Sequence, residues 1–293
     1  MSNKRWVSWF LLIFTCFAWG GSYVSIEICL RALGPAYLPF FRYLISSVIL
    51  FVALKLGKSP LYLEKKDLGR IILSALASIT FYFYFENVGI MKIGANEAAV
   101  LVAMMPIIAL VANRIFLKQK ILLRNIISSL ISIAGIYLVI GGAEFNSNYV
   151  GYLYMMMASI SWVTYMICTK PLVQKYDGLL ITFYQCLIGT VGFIPMLKTD
   201  YVYIERIDLP IMLHFLFLAL ICSAACTWFY AISIKELGVS ISAMLLNFIP
   251  VATFIFSFVF LNEVLAPMKL LGSAIAIGGL LMMKGDEAVE EAA

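Results

Sequence analysis

Four ionisable side chains interrupt stretches that are otherwise apolar enough to lie in lipid: Glu27, Arg42, Glu86 and Glu97. A charge in hydrocarbon costs about 3 kcal/mol or more, so each marks a site, a gate or a watery path unless it reaches the headgroups. Glu27 and Glu97 fall near the ends of their stretches and read as interfacial charges, whereas Arg42 and Glu86 lie deeper and read as site or gate groups. A carboxylate at that depth can hold an amine or exchange a proton, which makes Glu86 the proton-coupling candidate. Arg42 can pair with an acid or take a cargo carboxylate. Aromatic residues occupy similar levels: Trp19 and Tyr23 share a helix face that Glu27 continues, Tyr82 shares one with Glu86, and Trp162 with Tyr165 repeats the arrangement further on. Such rings either fill gaps between helices or wall a pocket with apolar area, ring donors and cation–π faces. Asn247 can hydrogen-bond cargo or satisfy the backbone loosened by Pro250, three residues on. The substrate-binding candidates are thus Trp19, Tyr23, Arg42, Tyr82, Glu86, Trp162, Tyr165 and Asn247. Pro106 and Pro250, near the middles of their stretches, are hinge candidates.

The elements that must carry these residues follow from composition. The chain is 63% hydrophobic and 13% charged, more apolar surface than a water-soluble core of 293 residues can hide. Ten apolar runs fit a bilayer's thickness: Val7–Leu30, Ala36–Leu54, Ile71–Met91, Ala95–Leu117, Ile121–Gly141, Val150–Cys168, Leu179–Leu197, Ile211–Ile232, Val239–Leu261 and Met268–Met283. In lipid the backbone must satisfy itself, so the expected class is an all-α integral membrane protein of ten transmembrane helices. With the N-terminus inside, fifteen Lys and Arg fall on inner connections and five on outer ones, which places both termini in the cytoplasm. The same bias accounts for the net charge of +5 without nucleic acid as a partner. Lys4-Arg5 before a long apolar run, with no small-residue cleavage site after it, reads as a retained first helix. The six cysteines read as small packing residues with no metal among them, and 285–293 as a disordered acidic tail.

The second half repeats the first. Displaced by 144 residues, Phe85 meets Phe229, Gly94 meets Gly238, Pro106 meets Pro250 and Gly135 meets Gly279; displaced by 143, Trp19 meets Trp162 and Phe40 meets Phe183. Residues 1–145 and 146–284 are therefore expected as two five-helix repeats. An odd number of crossings sets them upside-down relative to each other, and cargo sites of such proteins lie between the repeats. The repeat breaks its symmetry in charge: Glu27, Arg42, Glu86 and Glu97 correspond to Lys170, Gln185, Tyr230 and Ile241. An outer mouth with three acids and one base attracts amines. Small residues at helical spacing, Ser128, Ser132 and Gly135 against Gly272, Ala276 and Gly279, suit close packing between the last helices of the repeats or between two copies; monomer or homodimer stays open.

The order of features resembles the drug/metabolite transporter superfamily, in its ten-helix EamA-type branch. The resemblance rests on Ala18-Trp19-Gly20-Gly21-Ser22, Phe40-Phe41-Arg42, Ala98-Ala99 with Pro106, and Leu261-Asn262-Glu263 after Pro250; Gln119 departs from the acidic turn expected in the first half. It implies a carrier of small metabolites, often amino acids and commonly outward, in the inner cell membrane. No nucleotide-binding G-x-x-x-x-G-K-[ST] occurs, so energy must come from the cargo gradient or an exchanged proton. No cofactor is expected. The reading is a secondary transporter, exporter or facilitator, for amino acids or other amine-bearing compounds. The alternatives are a flippase for lipid or lipid-linked cargo and, against a single His and no nucleophile motif, a membrane-embedded enzyme.

Overall fold

The computed structural model describes residues 3–58, 61–102, 105–116, 122–140, 145–237, 242, 245–262 and 266–282. Its elements are α1 (Asn3–Cys29), α2 (Tyr37–Leu56), α3 (Leu68–Ala75), a π-helical segment (Leu76–Phe81), α4 (Tyr82–Val102), α5 (Met105–Phe116), α6 (Leu123–Ile140), α7 (Phe145–Lys175), α8 (Gly178–Gly192), α9 (Leu209–Leu216), a second π-helical segment (Phe217–Ala225), α10 (Cys226–Leu237), α11 (Ile249–Phe260) and α12 (Pro267–Leu281). Among the described residues the only strand-like feature is one bridge between Leu33 and Val202. Six helical spans are long and apolar enough to cross a membrane: Arg5–Cys29, Tyr37–Leu56, Lys65–Val102, Tyr149–Lys175, Gly178–Thr199 and Leu209–Leu237. Leu123–Leu138 and Ile249–Phe260 are apolar but shorter. The chain is an all-helical integral membrane protein.

Large apolar side chains such as Phe10, Phe17, Val48, Leu130 and Phe258 point away from the protein, as they do when lipid is the solvent. Inside the bundle, hydroxyls return to their own backbone: Thr15 to Leu11 O, Ser159 to Met155 O, Thr182 to Gly178 O and Thr190 to Cys186 O. This bond satisfies a polar side chain where water is absent.

Two breaks shape the helices. Lys65–Val102 holds 38 residues and would reach about 57 Å if straight, nearly twice a bilayer's hydrocarbon. It is interrupted at Gly94, whose φ of 80° and ψ of 166° only glycine adopts readily. The sequence reading had placed Met91 and Ala95 in separate helices on either side of this point. Pro250, in contrast, is not in mid-helix: it is the second residue of α11, where proline's missing N–H is no loss. The residues just before Met105 lie outside the described residues, and with them the reading of Pro106 as a mid-helix proline.

The small-residue faces meet within the chain. A Cβ added at Gly135 would strike the Ala276 and Gly272 backbone, and one at Gly279 would strike the backbone of Ser132 and Ser128, so α6 and α12 pack at backbone contact. Loops tie distant parts of the sequence together at both ends of the bundle. At one end Asp200 Oδ2 accepts the N–H groups of Ala36 (2.7 Å) and Tyr37 (2.8 Å), capping α2. At the other end Asp67 accepts from Lys175 Nζ and the Tyr176 hydroxyl, both at 2.7 Å, and Glu64 pairs with Lys175 at 2.6 Å.

Candidate functional site

The bundle centre is built on the second π-helical segment. An inserted residue widens the turn and turns backbone groups towards neighbouring helices. Ala219 O accepts Ser46 Oγ of α2 (2.9 Å), Cys222 O accepts the Trp19 indole N–H of α1 (3.0 Å), and Ser223 Oγ accepts Arg42 Nε (3.1 Å). Trp19 and Arg42 are thereby fixed from a segment about two hundred residues away. Arg42 is 1% exposed, with its guanidinium carbon 5.1 Å from the Phe83 ring centre and 5.6 Å from that of Tyr43. An arginine in this position is shielded from lipid by cation–π faces and a hydroxyl.

Opposite stands Glu86 on α4, 2% exposed. The Tyr82 hydroxyl, one turn earlier, donates to its Oε1 at 2.6 Å, and the Tyr23 hydroxyl lies 3.3 Å from that of Tyr82. A tyrosine chain thus runs from α1 to the carboxylate. Among the described residues Arg42 Nη1 and Glu86 Oε2 have no hydrogen-bond partner. Both residues line one pocket together with Trp19, Ser22, Tyr23, Tyr82, Phe83, Val102, Met105, Trp162, Leu246 and Ile249. The pocket holds a cavity of about 20 Å³, enough for about one water and far too small for a metabolite.

Of the eight sequence-derived substrate-binding candidates, Trp19, Tyr23, Arg42, Tyr82, Glu86 and Trp162 line this pocket. Tyr165 lies behind it, its ring 4.8 Å from that of Trp162 and its hydroxyl buried without a partner. The Asn247 and Pro106 side chains lie outside the described residues; Pro250 is buried in α11. The ring cluster continues through Trp19–Trp162 (5.5 Å), Trp19–Tyr230 (5.2 Å) and Tyr82–Trp162 (4.8 Å). Sequence reasoning missed Ser22 and the apolar wall of Phe83, Val102, Met105, Leu246 and Ile249. The spacing Trp19-x-x-Ser22 was a usable signal for the serine. Nothing local marked Ser223 as a partner of Arg42.

A second, open cavity of about 340 Å³ lies towards the Gly94 break, lined by Glu27, Leu30, Arg31, Ile90, Met91 and Gly94. Glu27 Oε2 accepts the Ala95 N–H at 2.6 Å, satisfying the helix that resumes after the break. Glu97, two residues on, accepts Lys269 Nζ (2.6 Å) and the Tyr152 hydroxyl (2.9 Å). His214 lies 3.0 Å from Ser25 Oγ on α1.

One family model matches the chain twice in succession, over residues 6–141 and 149–284. The chain belongs to the EamA-like transporter family. Among similar EamA-type relatives, a probable terminal-alkyne amino-acid exporter of Streptantibioticus cattleyicolor is 27% identical over 93% of this chain and 91% of its own length. An uncharacterized transporter of Archaeoglobus fulgidus is 24% identical, covering 94% and 98%, and the Bacillus subtilis uncharacterized transporter YdfC is 25% identical, covering 89% and 86%. A solved crystal structure shares the fold with a TM-score of 0.69 at 13% identity, covering 96% of this chain and 97% of that one. Family and relatives alike point to membrane transport rather than catalysis.

Proposed function

We propose that this EamA-type transporter is a secondary carrier, an exporter or facilitator, for amino acids and related amine-bearing metabolites. One observation carries the reading: a buried base and a buried acid, each with an atom that has no hydrogen-bond partner among the described residues, line one aromatic-walled pocket. An α-amino acid offers a carboxylate for Arg42 Nη1 and an ammonium for Glu86 Oε2, and satisfying both removes the cost of leaving them bare. The Trp19, Tyr82 and Trp162 rings supply apolar area for the cargo side chain. The relative named as a probable amino-acid exporter agrees with this choice.

In this reading residues 1–145 and 146–284 are inverted five-helix repeats, ten crossings in all. The two successive family-model matches support it. So do the π-helical segments, since 76–81 displaced by 144 residues falls on 220–225, inside the second one. The excess of Lys and Arg on one set of connections puts both termini in the cytoplasm of the inner cell membrane and the Gly94 end outside. Alternating access rocks the repeats around the pocket, with Pro106 and Pro250 as hinges. Tyr23 and Tyr82 hold Glu86 in place, and Glu86 is the group through which a proton would be exchanged.

Purified protein in liposomes loaded with a mixed metabolite pool, with and without a pH gradient, tests this. Selective release of amino acids or amines against empty liposomes is the expected result. Release of phosphorylated or purely acidic compounds instead would overturn it.

A further inference from the structure

The open cavity repeats the charge pattern of the central pocket. Its lining holds one acid, Glu27, and one base, Arg31, as the pocket holds Glu86 and Arg42. The two are joined by continuous helix faces. On α1, Tyr23 of the pocket is one turn from Glu27 of the cavity; on α4, Glu86 is one turn from Ile90 and two from Gly94. One turn advances about 6 Å and two about 12 Å, so the two linings lie within about two helical turns of each other along α1 and α4. Ile90 is 1% exposed and stands between them. Resting on the amino-acid reading above, we infer that the cavity is an outer station for the same zwitterion, on its way out or in, with Glu27 as its ammonium ligand and Arg31 as its carboxylate ligand.

Glu27 has a second duty that gives the station a consequence. Its Oε2 holds the Ala95 N–H at the only described glycine with positive φ. A carboxylate oxygen has more than one acceptor direction, so an arriving ammonium shares or takes this oxygen and loosens the hold on the Ala95 end of α4. The rim brings the two halves of the chain together here: the Tyr201 hydroxyl donates to Leu30 O, and Arg206 Nη1 donates to Arg31 O. Occupancy of the station is therefore sensed at a helix break and at a loop contact together, while the cargo is on the outer side of Ile90.

The test uses full-length protein in vesicles of each orientation, with the twenty common amino acids as probes read by mass spectrometry. Glu27→Gln keeps an acceptor for the Ala95 N–H and removes the charge; Arg31→Gln removes the base; Glu27→Ala removes charge and cap together. The expected result for the two glutamine variants is a half-saturating concentration raised about tenfold from the Gly94 side and much less from the other. If both match wild type from the Gly94 side while Arg42→Gln and Glu86→Gln abolish transport, the station falls and the central site stands. If Arg42→Gln and Glu86→Gln transport normally, or wild type moves none of the probes, the function reading falls and the station with it. If Glu27→Gln loses thermal stability as much as Glu27→Ala and affects both sides equally, Glu27 is a structural cap only and the station is overturned.

Discussion

Replacing Glu86 by Gln separates the two halves of the proposed cargo clamp. The amide keeps an oxygen where the Tyr82 hydroxyl donates at 2.6 Å, so the α4 wall is expected to stay in place. What disappears is the negative charge at Oε2, which has no hydrogen-bond partner among the described residues. A hydrogen bond to a charged group contributes about 1.5–3 kcal/mol net, so an α-amino acid should bind about 10- to 150-fold more weakly. The assay is counterflow into proteoliposomes with three probes of one shape: leucine, its decarboxylated amine and its deaminated acid. Glu86→Gln should weaken leucine and the amine and leave the acid unchanged. Arg42→Gln should weaken leucine and the acid and spare the amine. Equal losses for all three probes in either variant would refute the assignment of separate partners, and unchanged leucine in both would refute the clamp.

Gly94→Ala forces a side chain onto φ 80°, ψ 166° and should cost about 1–3 kcal/mol, read as a lower melting temperature in detergent. Gly135→Leu drives its side chain into the α12 backbone at Gly272 and Ala276, and size-exclusion chromatography should show little monodisperse protein. Asp200→Ala uncaps two N–H groups of α2 and should cost about 1–2 kcal/mol, with Asp200→Asn milder in the same melting assay. At the other end of the bundle, hydrogen bonds from Lys175 and then Lys66 hold the Glu64 carboxyl below its ordinary range. Its contribution to stability is present above the ordinary carboxylate pKa and is lost as pH falls through the lowered value. Carbon-13 NMR of labelled glutamate should show Glu64 titrating low in wild type and returning towards normal in Lys175→Gln.

The helical class, the membrane solvent and half of the pocket lining were legible because each is written in local pattern. A lone arginine or glutamate amid apolar residues is visible in any window, and so is a tryptophan one turn from a tyrosine. Glu27 shows the limit. It read as a headgroup charge because its depth can be counted along α1, whereas its bond to Ala95 depends on how α1 lies against α4. The π-helical segments have no sequence signature, since one extra residue in a wide turn leaves the apolar pattern intact. With them went the carbonyls and the serine that hold Trp19 and Arg42. Pro250 reads as mid-helix because the apolar run continues through it; the backbone instead starts α11 there. The small-residue faces were visible, but which faces pair was a question only the packing of α6 on α12 answers.

The pocket's composition, one acid and one base, also sets how membrane voltage acts on the proposed flux. With Arg42 and Glu86 both charged, the site sums to zero, and so does an α-amino acid. Carried without a proton, it moves no net charge, so polarising the membrane neither drives nor opposes it and only the concentration ratio counts. A decarboxylated amine in the same pocket carries one positive charge, and 100 mV is then worth about 2.3 kcal/mol, close to a fiftyfold concentration ratio. One protein would thus be electrically silent for one cargo and a current source for its near twin.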